Sequence, residues 1–337
     1  MEEASIEVEA VTPIFIAGAD QKSIENEGLR APSLKGLLRW WFRAIMGGIV
    51  SVTDLRELEN KIFGSIDQKS QVKIRSITNT SPSGINIPNS LRYLWFSIYL
   101  QKRKNQRLQC YPPGTKFKII LNASNKSILK IALGCLWTLI HLGGIGARMR
   151  RGAGSLKVNK VNYIPDDVPY TFILTGNTIN DAKRFMEENL RKIFRDFKEY
   201  AGKKCKSIQN PNFAVLSKNY SRVSLVENFF NSWEEALAIV SNVYQRFRQG
   251  KKVQHRYTLG LPIISYPPFK ELRQASPLFI GVMNLGDKYV VRIVKFYTSI
   301  NPNFLSNLRY LEQDLNNLDS EISQKLKETE IKLPEVK

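Results

Sequence analysis

Residues 143 to 155 read Gly143-Gly144-Ile145-Gly146-Ala147-Arg148-Met149-Arg150-Arg151-Gly152-Ala153-Gly154-Ser155, five glycines and three arginines in thirteen residues. An ordinary connection needs nothing of the kind. Without Cβ atoms the backbone reaches positive φ and tolerates close approach, so a run of glycines turns peptide N–H groups outward as donors for an anion. The arginines add charge, and together they describe a cradle for phosphates. Before the loop, Ile128, Ile131, Ala132, Cys135, Leu136, Leu139 and Ile140 recur at helical spacing, predicting a helix over 126–142; after it, 155–161 is strand-like. The loop is thereby held at one edge of a sheet.

The first half sets up that sheet. Residues 5–16 read as a strand broken at Thr12-Pro13, followed by a long polar loop from Ala17 to Arg30 that contains Gly18, Asp20, Lys22, Asn26 and Gly28. Start and stop signals at Pro32-Ser33 and Gly47-Gly48 bound a helix with Leu34, Leu37, Leu38, Trp41, Ala44 and Ile45 on one face. Strand-like segments follow at 72–78, 91–100 and 115–121. With the 126–142 helix and the strand after the loop, the order is βαββαβ, the plan of a ferredoxin-like or RNA-recognition-type domain.

The second half repeats this plan less clearly. It offers a strand near 170–175, a helix over 180–200 (Phe185, Leu190, Ile193, Phe197), short strands near 213–217 and 222–226, and a helix over 233–249 opened by Ser232-x-x-Glu235. Strands near 277–284 and 289–297 come next. Phe304, Leu308, Leu311, Leu315, Leu318, Ile322 and Leu326 alternate spacings of three and four, predicting a long amphipathic C-terminal helix. The fold class expected is α+β: tandem ferredoxin-like domains, residues 1–165 and 166–337, with an additional C-terminal helix.

Charge points to a partner. The formal net charge is +20, which implies nucleic acid or an anionic surface. From Gln68 to Pro165 there are 17 Lys or Arg and no Asp or Glu, against 33 basic and 30 acidic residues in the remainder, so one segment holds nearly all of the excess. Lys35, Arg39 and Arg43, spaced i, i+4, i+8, form a basic stripe on the first helix, where like charges repel unless an anion relieves them. A solvated helix face is the bland alternative. No apolar run reaches the roughly 20 residues that cross a bilayer, and Met1-Glu2-Glu3 is unlike a signal peptide, so a cytoplasmic protein is expected. Cys110, Cys135 and Cys205 lack metal-ligand or disulfide spacing and read as free thiols.

The string Leu29-Arg30-Ala31-Pro32-Ser33-Leu34-Lys35-Gly36-Leu37-Leu38-Arg39-Trp40-Trp41-Phe42-Arg43-Ala44, the glycine loop, Leu259-Gly260-Leu261-Pro262 and Arg273-Gln274-Ala275-Ser276-Pro277-Leu278 resemble the RAMP superfamily, and within it the first-numbered RAMP subunit of type III-B, Cmr-type CRISPR effectors. The resemblance spans about residues 5–300. It implies a non-catalytic subunit of an RNA-guided complex that degrades foreign RNA, placed near the 3′ end of the guide. The implied partners are guide CRISPR RNA, target RNA and other RAMP subunits, with no membrane, cofactor or metal. The expected RNA contacts are Lys22, Arg30, Lys35, Arg39, Trp40, Arg43, Gly143, Gly144, Gly146, Arg148, Arg150, Arg151, Gly152, Arg256 and Arg273, because a guided complex holds its duplex through phosphates. Trp40 at the edge of the stripe is either a base-stacking surface or a packing residue.

Other chemistries fit less well. Gly144-Ile145-Gly146 lacks the third glycine of a dinucleotide fingerprint and follows a helix rather than a strand. The alternative of a RAMP-type endoribonuclease would draw on Asp20, His141 or His255, yet no acid–base pair or metal cluster is visible.

Overall fold

The computed structural model describes residues 1–16, 28–103, 109–206, 211–250, 259–260, 275–298 and 308–335. Its first unit is built from β1 (Glu2–Ala10), α1 (Ala31–Met46), α2 (Val52–Phe63), β2 (Val72–Ile77), β5 (Lys116–Ala123), α4 (Lys126–Leu142) and β6 (Leu156–Tyr163). Between β2 and β5 an insertion carries β3 (Ser83–Gly84), a 3-10 turn at Asn89–Leu91, α3 (Phe96–Arg103) and β4 (Gln109–Cys110). The strands form an antiparallel sheet in the order β2-β5-β1-β6, with Ile74 opposite Leu121, Ile6 opposite Ile119 and Val8 opposite Val158. This is the ferredoxin-like order. Ala4, Ile6, Val8 and Ala10 alternate into the core against α1 and α4.

The second unit contains β7 (Ser221–Val226), α6 (Trp233–Gln249), β8 (Leu278–Leu285), β9 (Lys288–Phe296), α7 (Leu308–Ser323) and β10 (Glu328–Ile331). Its antiparallel sheet has the order β10-β7-β9-β8, the same plan again. α6 and α7 cover one face, where Ile280, Val282, Val291 and Ile293 meet Leu237, Leu311, Leu315 and Leu318. Phe279, Val294 and Phe296 turn to the other face and pack into the core of the first unit. The helices α1 and α4 are therefore enclosed between two sheets. Both faces of β8 and β9 are accordingly buried almost throughout, including Arg292 and Lys295 of β9.

The remaining helix, α5 (Ile179–Ala201), packs on α1 and α4, where Phe197 meets Phe42 and a Cβ at Gly134 would press on Phe197 and Ile193, and it also reaches the edge strand β10, where Lys183 donates to the Glu330 carbonyl. Several expectations change here. α2 was not anticipated; Ser51 caps it by accepting from the Asp54 amide at 3.2 Å. Segment 91–100 is turn and helix, not strand. Segment 170–175 is not a strand because side chains of the helices satisfy its backbone: Asn189 Oδ1 accepts from the Thr171 amide, and Trp137 donates to the Thr171 carbonyl. Residues 213–217 form no strand either, and the Leu216 amide donates to the Ala44 carbonyl at the end of α1. The C-terminal helix ends at Ser323, and the chain returns as β10 to pair with β7, Ile331 opposite Val223. Cys110 and Cys135 are buried and Cys205 exposed, all as free thiols.

Part of the charge segregation is topological. β5 and β6 flank β1, so Lys116 and Lys157 from the acid-free segment lie opposite Glu9, and Lys118 and Lys160 opposite Glu7. Lys157 pairs with Glu9 at 3.0 Å and Lys130 with Asp167 at 3.2 Å. The middle of the outer face of the first sheet is thus a mixed ladder of Glu and Lys, with Lys73 and Arg75 of β2 added at one edge.

Candidate nucleic-acid interface

The glycine loop leaves α4 and is stitched to three other parts of the chain. The Ala147 amide donates to the Phe15 carbonyl at 2.7 Å, the Gly154 amide to the Pro13 carbonyl at 2.9 Å, and the Ser155 amide to Thr12 Oγ1 at 2.9 Å. Trp95 of the insertion donates its indole N–H to the Arg151 carbonyl at 2.9 Å. From the second sheet, the Ile280 amide reaches the Arg150 carbonyl and the Val282 amide reaches Ser155 Oγ.

These bonds change the role expected of the glycines. A Cβ at Gly154 would overlap the Ile145 carbonyl oxygen, and one at Gly152 would overlap Leu237 of α6. Gly143, Gly144 and Gly152, expected as anion contacts, are buried and serve close backbone packing instead. Only the turn 146–150 faces outward, with Ala147 exposed and Gly146, Arg148, Met149 and Arg150 half-buried.

The three arginines divide the same way. Arg151, expected at the RNA, is 8% exposed. It donates to the carbonyls of Arg150, Leu278 and Leu259 and to the Tyr244 hydroxyl, and its guanidinium lies 4.7 Å from the Tyr244 ring. It is a pin between loop and second unit. Arg150 donates to the Ser276 carbonyl and covers the rings of Phe279 and Trp40, 4.4 and 5.3 Å from their centroids. Arg148 sits at φ 62°, the one non-glycine at positive φ among the described residues, with Nε donating to Ser97 Oγ at 2.9 Å. Left-handed backbone at a non-glycine costs energy and is held by its surroundings.

Electrostatics separates this cluster from the α1 stripe. Burial, and then the charge of Arg151, lowers the pKa of Arg148 and pushes that of Arg150 down to about 10. Burial also lowers that of Arg151, with Arg248 adding to the repulsion. In the stripe the repulsion is relieved internally. Glu59 of α2, itself buried, accepts from Arg39 Nε at 2.6 Å and from Arg43 Nε and Nη2 at 2.6 and 2.8 Å. Burial pushes the Glu59 carboxyl up, but the bonds from Arg43 and Arg39 outweigh it and hold it low; the Glu59 hydrogen bond raises Arg43 in turn. Lys35 donates to Ser70 Oγ at 3.0 Å, its pKa lowered by burial and then by Arg39. The stripe thus has one internal counter-charge, Glu59, shared by Arg39 and Arg43, which the sequence reading did not include.

Trp40 points elsewhere, to the junction of the two units, with Trp41, Phe279 and Phe296 at 4.8, 5.1 and 5.6 Å. α1 and the glycine loop do meet, through Trp40 and Arg150 rather than through the stripe. Arg30 is the residue preceding α1, in extended conformation. Lys22, Arg256 and Arg273, with Asp20 and His255, lie outside the described residues.

His141 closes one nuclease route. It is buried against Trp137 and Phe185, donates from Nε2 to the Phe172 carbonyl at 3.2 Å, and its pKa is lowered to about 3, by burial first and then by Arg292. Among the described residues no group of three His, Cys, Asp or Glu is placed to hold a metal ion, and no helix is long and apolar enough to cross a membrane.

Sequence reasoning missed Glu59, the buried Arg292 of β9 and the insertion. For the insertion a signal existed: Leu91, Leu94, Trp95 and Ile98 follow the i, i+3, i+4, i+7 spacing of a helix, not the alternation of a strand.

Two family profiles match the chain: the RAMP superfamily over residues 7–157 and the C-terminal part of Cmr1-like proteins over 220–332. The CRISPR system Cmr subunit Cmr1-1 of Pyrococcus furiosus is 33% identical over 338 residues, covering 96% of each chain. Cmr1-2 of the same organism is 38% identical over 183 residues, 47% of this chain and 96% of its own. The crystal structure of apo Cmr1 from Pyrococcus furiosus superposes with a TM-score of 0.75 at 31% identity, covering 98% of this chain and 99% of the other. A chain of the type III-B Cmr-beta complex bound to cognate target RNA shares the fold, with a TM-score of 0.58 at 15% identity and coverage of 94% and 100%.

Proposed function

The chain belongs to the RAMP superfamily as a homologue of the Cmr1 subunit of Cmr CRISPR systems, and from that premise we propose that it is a non-catalytic, RNA-binding subunit of a type III-B RNA-guided effector complex. Its partners are guide RNA, target RNA and other RAMP subunits, near the 3′ end of the guide, and it works in the cytoplasm.

The observation that supports this best is the crowding of Arg148, Arg150 and Arg151 on one loop, where burial lowers all three pKa values and the charge of Arg151 lowers those of Arg148 and Arg150 further. The α1 stripe has its own counter-charge; this cluster is pressed by cations. A phosphate at the outward turn relieves that repulsion, with Arg148 and the half-buried edge of Arg150 presented to it and Arg151 fixing the loop from behind. Lys22, Arg30, Lys35, Gly146, Arg256 and Arg273 remain in the proposed contact set on sequence grounds. The outer face of the first sheet does not: its glutamates already stand opposite flanking lysines and, apart from Tyr163, it exposes no aromatic.

The test is the salt dependence of single-stranded RNA binding by the full chain. The log–log slope should be about −0.7 per phosphate neutralised, with weak dependence on sequence, and Arg148→Ala should reduce it by roughly one contact. A flat salt response sinks the proposal. The same preparation should leave RNA uncut with Mg²⁺ or Mn²⁺.

A further inference from the structure

The insertion between β2 and β5 presents an aromatic ring that the fold does not use. Trp95 anchors the insertion: it is buried edge-on to Phe15 at 5.3 Å, stacks on Trp233 at 5.9 Å, and donates to the Arg151 carbonyl. With Trp95 fixed inward, its neighbour Phe96, the first residue of α3, is turned out and is 44% exposed. The residue after it, Ser97, receives the bond from Arg148 Nε. One turn earlier Arg92 is exposed, its guanidinium 4.2 Å from the centroid of the Tyr99 ring.

A single exposed ring is ordinary on a protein surface. Its company is not. The ring stands on a backbone pinned by a buried tryptophan, beside the outward turn of the glycine loop, with the Arg92 guanidinium one turn earlier and that of Arg148 bonded to the next residue, Ser97. A ligand with a flat apolar face and an anionic group a few ångströms away satisfies both features, and that is a nucleotide. A protein partner would want a broader apolar patch than a phenyl ring bordered by Arg92 and Ser97. The residue first expected to stack, Trp40, is surrounded by Trp41, Phe279, Phe296 and Arg150.

We propose that Phe96 is a base-stacking residue for single-stranded RNA, and that Arg148 and Arg92 hold the phosphates flanking the stacked base. This rests on the reading that the glycine loop binds RNA, and adds to it the place where a base, rather than the backbone, is engaged. Stacking is indifferent to base identity because every base has a π-face, so the site confers affinity and position without sequence preference.

The test measures affinity of the full chain for a uridine-rich single-stranded RNA by fluorescence anisotropy across a salt series, for the natural sequence, Phe96→Ala, Phe96→Leu, Phe96→Trp and Arg148→Ala. Phe96→Ala and Phe96→Leu should each weaken binding roughly 5- to 150-fold with an unchanged salt slope, and Phe96→Trp should bind at least as well as the natural chain. Arg148→Ala should instead lower the slope. If Arg148→Ala weakens binding while Phe96→Ala does not, the stacking inference is wrong and the loop reading stands. If Phe96→Leu binds like the natural chain, apolar bulk rather than the ring is at work, and the inference again fails. If the natural chain binds no RNA, both fall together.

Discussion

Arg292 gives the sharpest energetic prediction. It lies on β9 in the second unit, is 1% exposed, and donates to the carbonyls of His141 and Gly143 at the C-terminal end of α4, the latter at 2.6 Å. The last carbonyls of a helix have no partner inside it and carry the negative end of its dipole, so a cation brought from another unit satisfies both needs. Room for the guanidinium comes from β8, where a Cβ at Gly281 would overlap Arg292. Arg292→Met keeps the volume and removes both bonds. Each dry carbonyl then costs about 1–3 kcal/mol, partly offset because a buried charge no longer has to be desolvated, for a net loss of about 3 kcal/mol. Gly281→Ala in the natural background forces the guanidinium off its carbonyls and should cost a similar amount, about 3 kcal/mol. With methionine at 292 the obstruction is a flexible thioether, so the same alanine should cost about 1 kcal/mol or less. Urea denaturation of the four proteins should therefore give a coupling of about 2 kcal/mol between the two sites. Additivity to within about 0.5 kcal/mol would refute the idea that Gly281 exists to seat Arg292.

Two further outcomes follow from buried charge. His141 is held neutral, its folded pKa of about 3 below the ordinary value of 6.5, so the unfolded chain binds the extra proton between those values; stability should be full above pH 6.5 and fall toward pH 3 by up to about 1.4 kcal/mol per unit. His141→Gln, whose amide can still donate to the Phe172 carbonyl, should flatten that slope in denaturation series between pH 7 and 4.5, and an unchanged slope would count against burial as the cause. Replacing Arg39 and Arg43 together by Ala strands the buried Glu59 carboxylate and should destabilise the chain by about 2–4 kcal/mol while leaving the salt slope of RNA binding unchanged; a lowered slope in a folded double variant would return the stripe to the RNA site.

What the sequence makes legible is whatever periodicity and composition carry. α1 and α4 have strong apolar faces and end where glycines stand, and the alternation in β1, β5 and β6 is clear, so the first βαββαβ plan can be read directly. β10 escapes because its four residues follow an apolar spacing of three and four that runs on through Leu326, and the demand for a strand beside β7 comes from tertiary structure alone. The site is legible only as a stretch. That glycines and arginines gather at 143–155 is plain, but which arginine faces out depends on partners far away in sequence: Leu278 and Leu259 for Arg151 and Ser276 for Arg150, each more than a hundred residues distant, and Ser97, 51 residues before it, for Arg148. The α1 stripe misleads for the same reason, since Glu59 sits on a helix that periodicity left unread. Arg292 has no local signal: a lone arginine in Val290-Val291-Arg292-Ile293-Val294 reads as an outward residue until the second face of the sheet is known to be covered.

The most direct test is to photocrosslink single-stranded RNA to the full chain and identify the attached peptides by mass spectrometry. The structure predicts crosslinks in the peptides bearing Phe96 and the turn from Gly146 to Arg150, lost on Arg148→Ala. Crosslinks confined to the outer face of the first sheet, around Lys118, Lys160 and Tyr163, would contradict it.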